Sequence, residues 1–274
     1  MNYGGKGIKQ KKKLLNSATT KLGTKLGIFF IKLALVGVIA IVVSGACLLF
    51  GSFQGIIENA PDIASINVSP EGFATRIYDS DENEIQLLSS AGANRTYVTI
   101  DQIPKDLQHA FIAIEDERFY EHNGIDMKGI LRAASITLST RHMPQGASTI
   151  TQQLLKKNVF NAYNESDIEK IKRKVQEQYL AIKLETVMDK QDILENYLNT
   201  INLGNGYYGV QAAANGYFNK DVSELTLSEC AVIASITKSL TGLNPNRHAD
   251  RNKDRHNQVL ANMKEQGYIS DEEY

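Results

Sequence analysis

From Leu33 to Ile57 the chain carries no charged side chain. A helix needs about 20 apolar residues to cross a bilayer, so residues 33–57 read as one transmembrane helix. Eight lysines (Lys6, Lys9, Lys11, Lys12, Lys13, Lys21, Lys25 and Lys32) and no acid precede it, whereas Glu58 and Asp62 follow. The positive-inside rule keeps residues 1–32 as a cytoplasmic basic tail and places the rest on the extracellular face of the cell membrane. A formal net charge of -1 for the chain then leaves -9 beyond residue 32. A basic head on an acidic body fits a topology signal and argues against a nucleic-acid partner. The rival is a cleaved signal peptide. The run outlasts the usual apolar core of about 7–15 residues, and no clear small-x-small site precedes the acids, which favours an uncleaved anchor.

The remaining length suits one large domain or two small ones. Cys47 in the apolar run and Cys230 in an expected buried helix make a poor disulfide pair and read as two small hydrophobes. Residues 58–100 read as a juxtamembrane linker with short strands at Thr75–Tyr78, Glu84–Leu88 and Thr96–Ile100. From residue 101 to 274 the pattern is helical.

Several blocks carry residue types suited to chemistry. In the first, Leu107, Ala110, Phe111 and Ile114 share a helical face and Glu115 falls at its edge. Partial desolvation there, with Asp116 and Glu117 alongside, favours a carboxylate that takes up a proton. Taken alone, the triplet reads first as a solvated helix end. A helix over 125–139 follows, with Met127, Ile130, Leu131, Ala134 and Leu138 as its apolar set. The second block runs from Gly146 to Lys156. Thr149 and Gln152 match a capping box, and the free N–H groups of that helix start suit an anion. Thr149, Gln153 and Lys156 share a polar face, which in isolation is an ordinary solvated one.

Ser166 and Glu169 form a second box for a helix running to about Met188, with Ile168, Ile171, Val175, Tyr179 and Ile182 as its core stripe. Arg173, Lys174 and Glu177 project from the other side, which continues into Leu180, Ala181 and Leu184. That side fits a cleft wall; the alternative is a surface ion pair worth about a few tenths of a kcal/mol. The fourth block, Lys190–Asn199, reads as scaffold around Ile193, Leu194, Tyr197 and Leu198. Thr226 and Glu229 cap a buried helix over 227–240, and Arg255-His-Asn-Gln-Val-Leu260 lies in a helix ended by Gly267.

These blocks, in this order, resemble the signatures of the peptidoglycan glycosyltransferases, found alone in monofunctional transglycosylases and as the front half of class A penicillin-binding proteins. His109–Gly124 resembles the first signature, Gly146–Gln153 the second, Arg173-Lys-Val-Gln-Glu177 the third and Arg255–Leu260 the fifth. Ala147, Lys157 and His256 depart from the family pattern, the last where a second Arg is usual. If that position holds pyrophosphate, binding becomes weaker or more pH-dependent.

The resemblance implies a mainly α, lysozyme-like domain of two lobes around a cleft, with a few short strands, preceded by the transmembrane helix. It implies polymerisation of lipid II into β-1,4-linked glycan with release of undecaprenyl pyrophosphate. Glu115 is then the general base and Glu177 the second catalytic carboxylate, which orients cations, holds a metal or assists the leaving group. Lys156, Arg173, Lys174 and Arg255, with Ser148 and Thr149, face the diphosphate. Gln152 and Gln153 are further substrate-binding candidates, Asp116 orients the first turn, and Phe119 and His122 shape the pocket.

No cofactor is required and no metal ligands are assigned, although a divalent Mg or Mn ion against the pyrophosphate stays open. The implied partners are lipid II, the growing glycan, the lipid bilayer and cell-wall synthesis or division proteins. Residues 125–144, with Leu131, Ile136, Leu138 and Met143, are expected to dip into the outer leaflet. Ser270 and Glu273 cap a helix whose body is missing, so a transpeptidase domain is expected to follow. The alternatives are a lysozyme-like hydrolase or lytic transglycosylase, and a non-catalytic membrane scaffold.

Overall fold

A computed structural model describes residues 4–15, 17–72, 75–82, 84–88, 94–140, 147–160 and 164–274. The lysine-rich segment forms α1 (Gly5–Leu15), and α2 (Ala18–Glu58) takes up the whole uncharged run. α2 starts well before Leu33 because lysine is a good helix former; charge limits the part that can sit in lipid, not the helix. At 1.5 Å per residue its length is about 60 Å, against about 30 Å of hydrocarbon. It is long and apolar enough to cross a membrane, and its side chains stand exposed, Leu49 by 75%. Met1–Asn59 and Ala60–Tyr274 are separate compact units.

The second unit is mainly helical. It opens with an antiparallel hairpin of β1 (Thr75–Tyr78) and β2 (Glu84–Leu88). Eight α-helices follow among the described residues: α3 (Lys105–Glu115), α4 (Met127–Thr140), α5 (Ile150–Asn158), α6 (Asp167–Leu184), α7 (Lys190–Thr200), α8 (Val210–Phe218), α9 (Leu227–Ser235) and α10 (Ala249–Glu265). They associate in two groups, α3 with α9 and α10, and α5 with α6 and α7. The apolar face of α3 is buried as expected, with Leu107, Ala110 and Phe111 fully covered. The four scaffold residues of α7 are also fully covered.

The expected strand at Thr96–Ile100 does not form. The Val98 N–H donates to Asn199 Oδ1 at 3.0 Å and the Val98 carbonyl accepts from Asn199 Nδ2 at 2.8 Å. One buried amide on α7 therefore supplies the pairing a neighbouring strand would have given. Asn199→Leu should destabilise the domain by about 2–3 kcal/mol, since it orphans both backbone groups of Val98. Denaturant titration in detergent measures this.

The core stripe expected on α6 is corrected. Ile168 is 68% exposed, Ile171 63% and Ile182 43%, although Tyr179 of that stripe packs half-buried against the core, and Glu177, Leu180, Ala181 and Leu184 point inward. Both faces have helical spacing; the inward one wins because Arg173 and Lys174 neutralise Glu177 on burial. The boxes at Ser166 and Thr226 form as expected. The helix expected over 227–240 ends at Ser235 and tightens into a 3-10 turn, Ile236–Lys238.

Candidate active site

Glu115 is the last residue of α3. The helix stops there because Asp116 leaves helical conformation, with φ -157° and ψ 70°. This break turns the Asp116 carboxylate inward, where Oδ2 accepts the Ile150 N–H at the start of α5 (2.8 Å). His122 Nε2 lies 3.0 Å from both Asp116 oxygens, and Lys190 Nζ 3.5 Å from His122 Nδ1. Thr149 caps α5 by accepting the Gln152 N–H, and its hydroxyl donates to the Gly124 carbonyl (2.9 Å). Gly124 has φ +84°, and a Cβ there would overlap the backbone of Ala181 on α6. Only glycine lets this turn approach α6 so closely.

The expected anion site at the α5 N-terminus is therefore corrected. A protein carboxylate, Asp116, already occupies the Ile150 N–H, and the Thr149 hydroxyl meets that of Gln152. Gln152 is buried with its amide on the Gly124 carbonyl (3.2 Å), so it completes no capping box and lies outside the lining of the adjacent groove.

A groove of about 800 Å³ opens beside this junction. Of the expected site residues, Glu115, Asp116, Ser148, Thr149 and Arg255 line it. Gln153 reaches it indirectly. Its Nε2 donates to Glu115 Oε2 at 2.8 Å while its Oε1 accepts from the buried Tyr197 hydroxyl at 3.2 Å. Lys174 Nζ donates to Ser148 Oγ (3.1 Å) on the groove wall and to Glu177 Oε2 (2.7 Å).

Arg255 is held below the usual arginine range by burial, with the Glu115 charge opposing that shift, and its Nε has no protein partner. Lys157, within reach of the Glu115 charge, is likewise held below the usual lysine range. Desolvation of its ammonium leads, the Lys156 charge adds to it and Glu115 opposes, although the side chain as a whole is exposed. Tyr197 is pushed well above the usual phenol range by burial, then by the charges of Glu115 and Asp116.

Other expected residues lie elsewhere. Phe119 is fully buried in the core, with Lys190 Nζ 4.5 Å from its ring centroid, and His122 is buried against Asp116. They support the junction from behind and do not shape the groove. Lys156 is exposed on α5, outside the groove lining. Arg173 is held between Glu165 (2.8 Å) and Glu177, so its charge is already neutralised. Glu177 is completely buried with its two oxygens on Arg173 and Lys174. Of the three roles left open for it, this geometry fits the orientation of cations. His256 points away, with Nε2 3.1 Å from Ser228 Oγ.

The family model described as Transglycosylase matches residues 81–264. The chain belongs to the transglycosylase family. This transglycosylase chain is 42% identical to penicillin-binding protein 1A of Escherichia coli (strain K12) over 246 residues, 89% of this chain and 28% of that protein. It is 45% identical to penicillin-binding protein 1F of Bacillus subtilis (strain 168) over 193 residues, 70% of this chain and 26% of that protein. It thus spans less than a third of the length of these relatives. A crystal structure of penicillin-binding protein 1A from Haemophilus influenzae aligns with 73% of this chain and 19% of that one, at 28% identity and a TM-score of 0.41.

The transglycosylase groove also holds residues outside the sequence signatures. Lys238 lines it from the 3-10 turn after α9. Asp126 lines it too, paired with Arg118, whose Nη2 lies 2.6 Å from Asp126 Oδ2. Gln258, inside the Arg255–Leu260 block, and beyond that block Asn262 on α10 and Gln266 at its C-terminal cap continue the Arg255 face into the groove lining. Their helical spacing from Arg255 was a readable signal. Lys238 gave none, because it falls within the helix expected over 227–240, which reads as buried.

Proposed function

We propose that this transglycosylase domain polymerises lipid II by inverting glycosyl transfer. The observation that carries the reading is that Glu115 shares one groove with Arg255 and with the Ser148 hydroxyl bound by Lys174. Glu115 takes the proton from the 4-hydroxyl of the acceptor GlcNAc as that oxygen attacks the anomeric carbon of the donor. The bond to the diphosphate breaks, and undecaprenyl pyrophosphate leaves from the opposite side. Attack opposite an α-linked leaving group gives the β-1,4 bond. Arg255 and Lys174, with Lys238 alongside, meet the developing negative charge. An arginine lining the groove is suited to a polyanionic ligand.

Gln153 fixes the direction of the Glu115 carboxylate. Glu177 acts through Arg173 and Lys174 and touches no substrate. Both Glu177 oxygens already serve those two cations, so Glu177 is not a ligand for a divalent cation. A lysozyme-like hydrolase would have little use for cations facing its carboxylate. Supplied with lipid II, the protein should make polymer; a hydrolase would instead shorten preformed glycan.

The lipid substrate gives the anchor and α4 a use. α2 keeps the enzyme in the membrane its substrate diffuses in, with the N-terminus cytoplasmic and the catalytic unit outside. Gly129 alone is buried on α4, while Leu131 is 66% and Leu138 85% exposed. We read this apolar face as dipping into the outer leaflet; Met143 and Pro144 lie outside the described residues. Residues 60–274 should float with liposomes, and Leu131→Glu with Leu138→Glu should reduce the bound fraction about tenfold or more. Undiminished flotation of the double variant would remove α4 from the contact.

A further inference from the structure

The end of α3 is held by two side chains that the functional reading leaves without a role. In a continuing helix the Ala113 carbonyl would accept the N–H of residue 117, but α3 ends at Glu115. That carbonyl instead accepts from Asn262 Nδ2 at 3.1 Å and from Gln266 Nε2 at 3.0 Å, one turn apart on the end of α10. Ala113 is only 3% exposed, which leaves water little access as a substitute. One turn earlier on the same helix, His109 stacks on Tyr268 with ring centroids 4.3 Å apart and planes within 16°. α3 is thus tied at two successive turns to the end of α10 and the turn that follows it, and the second tie lies two residues before Glu115. On the other side Asp116 ties the same helix end to α5.

We infer that Asn262 and Gln266 are positioning residues that fix Glu115 by clamping the Ala113 carbonyl. This rests on the reading of Glu115 as the base. A carbonyl has two lone pairs and each amide fills one. Losing one amide leaves the carbonyl paired; losing both frees the last turn of α3 and lets the carboxylate drift from the line of attack. A misplacement of about 1 Å costs on the order of 100-fold in rate.

The test is steady-state lipid II polymerisation by the full chain carrying Asn262→Leu, Gln266→Met or both. Each single change should lower kcat by about 3–5-fold and the pair by about 100-fold, more than the product of the singles, with KM within about threefold of wild type. A rise in KM at unchanged kcat would make the amides substrate contacts and overturn the inference, as would a folded double variant with wild-type kcat. Should the double variant fail to fold, Asn262→Asp keeps the shape while setting an acceptor against the carbonyl. It should lower kcat at unchanged KM, and wild-type kcat would again overturn the clamp. Glu115→Gln run in parallel separates the two ideas. If it polymerises normally, the functional reading fails; if it is inactive while the double variant is normal, only the clamp fails.

Discussion

Glu115→Gln should lower the rate of lipid II polymerisation by about 1,000-fold or more while leaving the fold intact. A positioned base contributes about 10²–10⁴-fold, and the amide cannot accept the proton of the attacking hydroxyl. The substitution is nearly isosteric. Gln153 Nε2 can still donate to the amide oxygen of the new side chain, so the hydrogen bond that Gln153 Oε1 accepts from Tyr197 has no reason to break. Arg255 and Lys174 remain where they are, so lipid II should still bind. Rates from fluorescent lipid II, with thermal unfolding of the same sample, separate loss of chemistry from loss of fold. Activity within tenfold of wild type would mean that another group takes the proton.

The second large effect is expected at Glu177→Gln, and it is one of stability first. Glu177 is fully buried between Arg173 and Lys174. Breaking a buried ion pair by neutralising one partner costs about 3–5 kcal/mol. The lower end applies here, because Arg173 keeps Glu165 and the Lys174 side chain, 44% exposed, can turn to water. For a unit of this size that is a fall of about 6–12 °C in melting temperature. Polymerisation should fall too, since Lys174 is then no longer held against Ser148 on the groove wall. A melting temperature unchanged from wild type would show that Glu177 is not the hub of this cluster.

Much of this architecture could be read from the chain, and the misreadings have common causes. The buried face of α3, the scaffold of α7 and the caps at Ser166 and Thr226 depend on local spacing, and local spacing is what a sequence displays. The inward face of α6 was not legible. Two apolar stripes competed there, and the choice turned on whether a buried Glu177 found its cations. The missing third strand turned on Asn199, a hundred residues away from Val98. In the site, proximity to Glu115 along the chain did not reveal which way a side chain points. Phe119, His122 and Gln152 therefore looked like pocket residues, whereas they lie behind the junction that holds Glu115 and α5 together. His256 likewise sits next to Arg255 but turns toward α9, at Ser228.

The central claim is that one carboxylate and its facing cations join sugars while expelling a lipid diphosphate. Product analysis of lipid II incubated with the wild-type protein tests this most directly, with the glycan linkage and the released lipid quantified together. One undecaprenyl pyrophosphate for each new β-1,4 bond is the predicted result. Bond formation without that release, or shortening of added glycan with no new bonds, would contradict it.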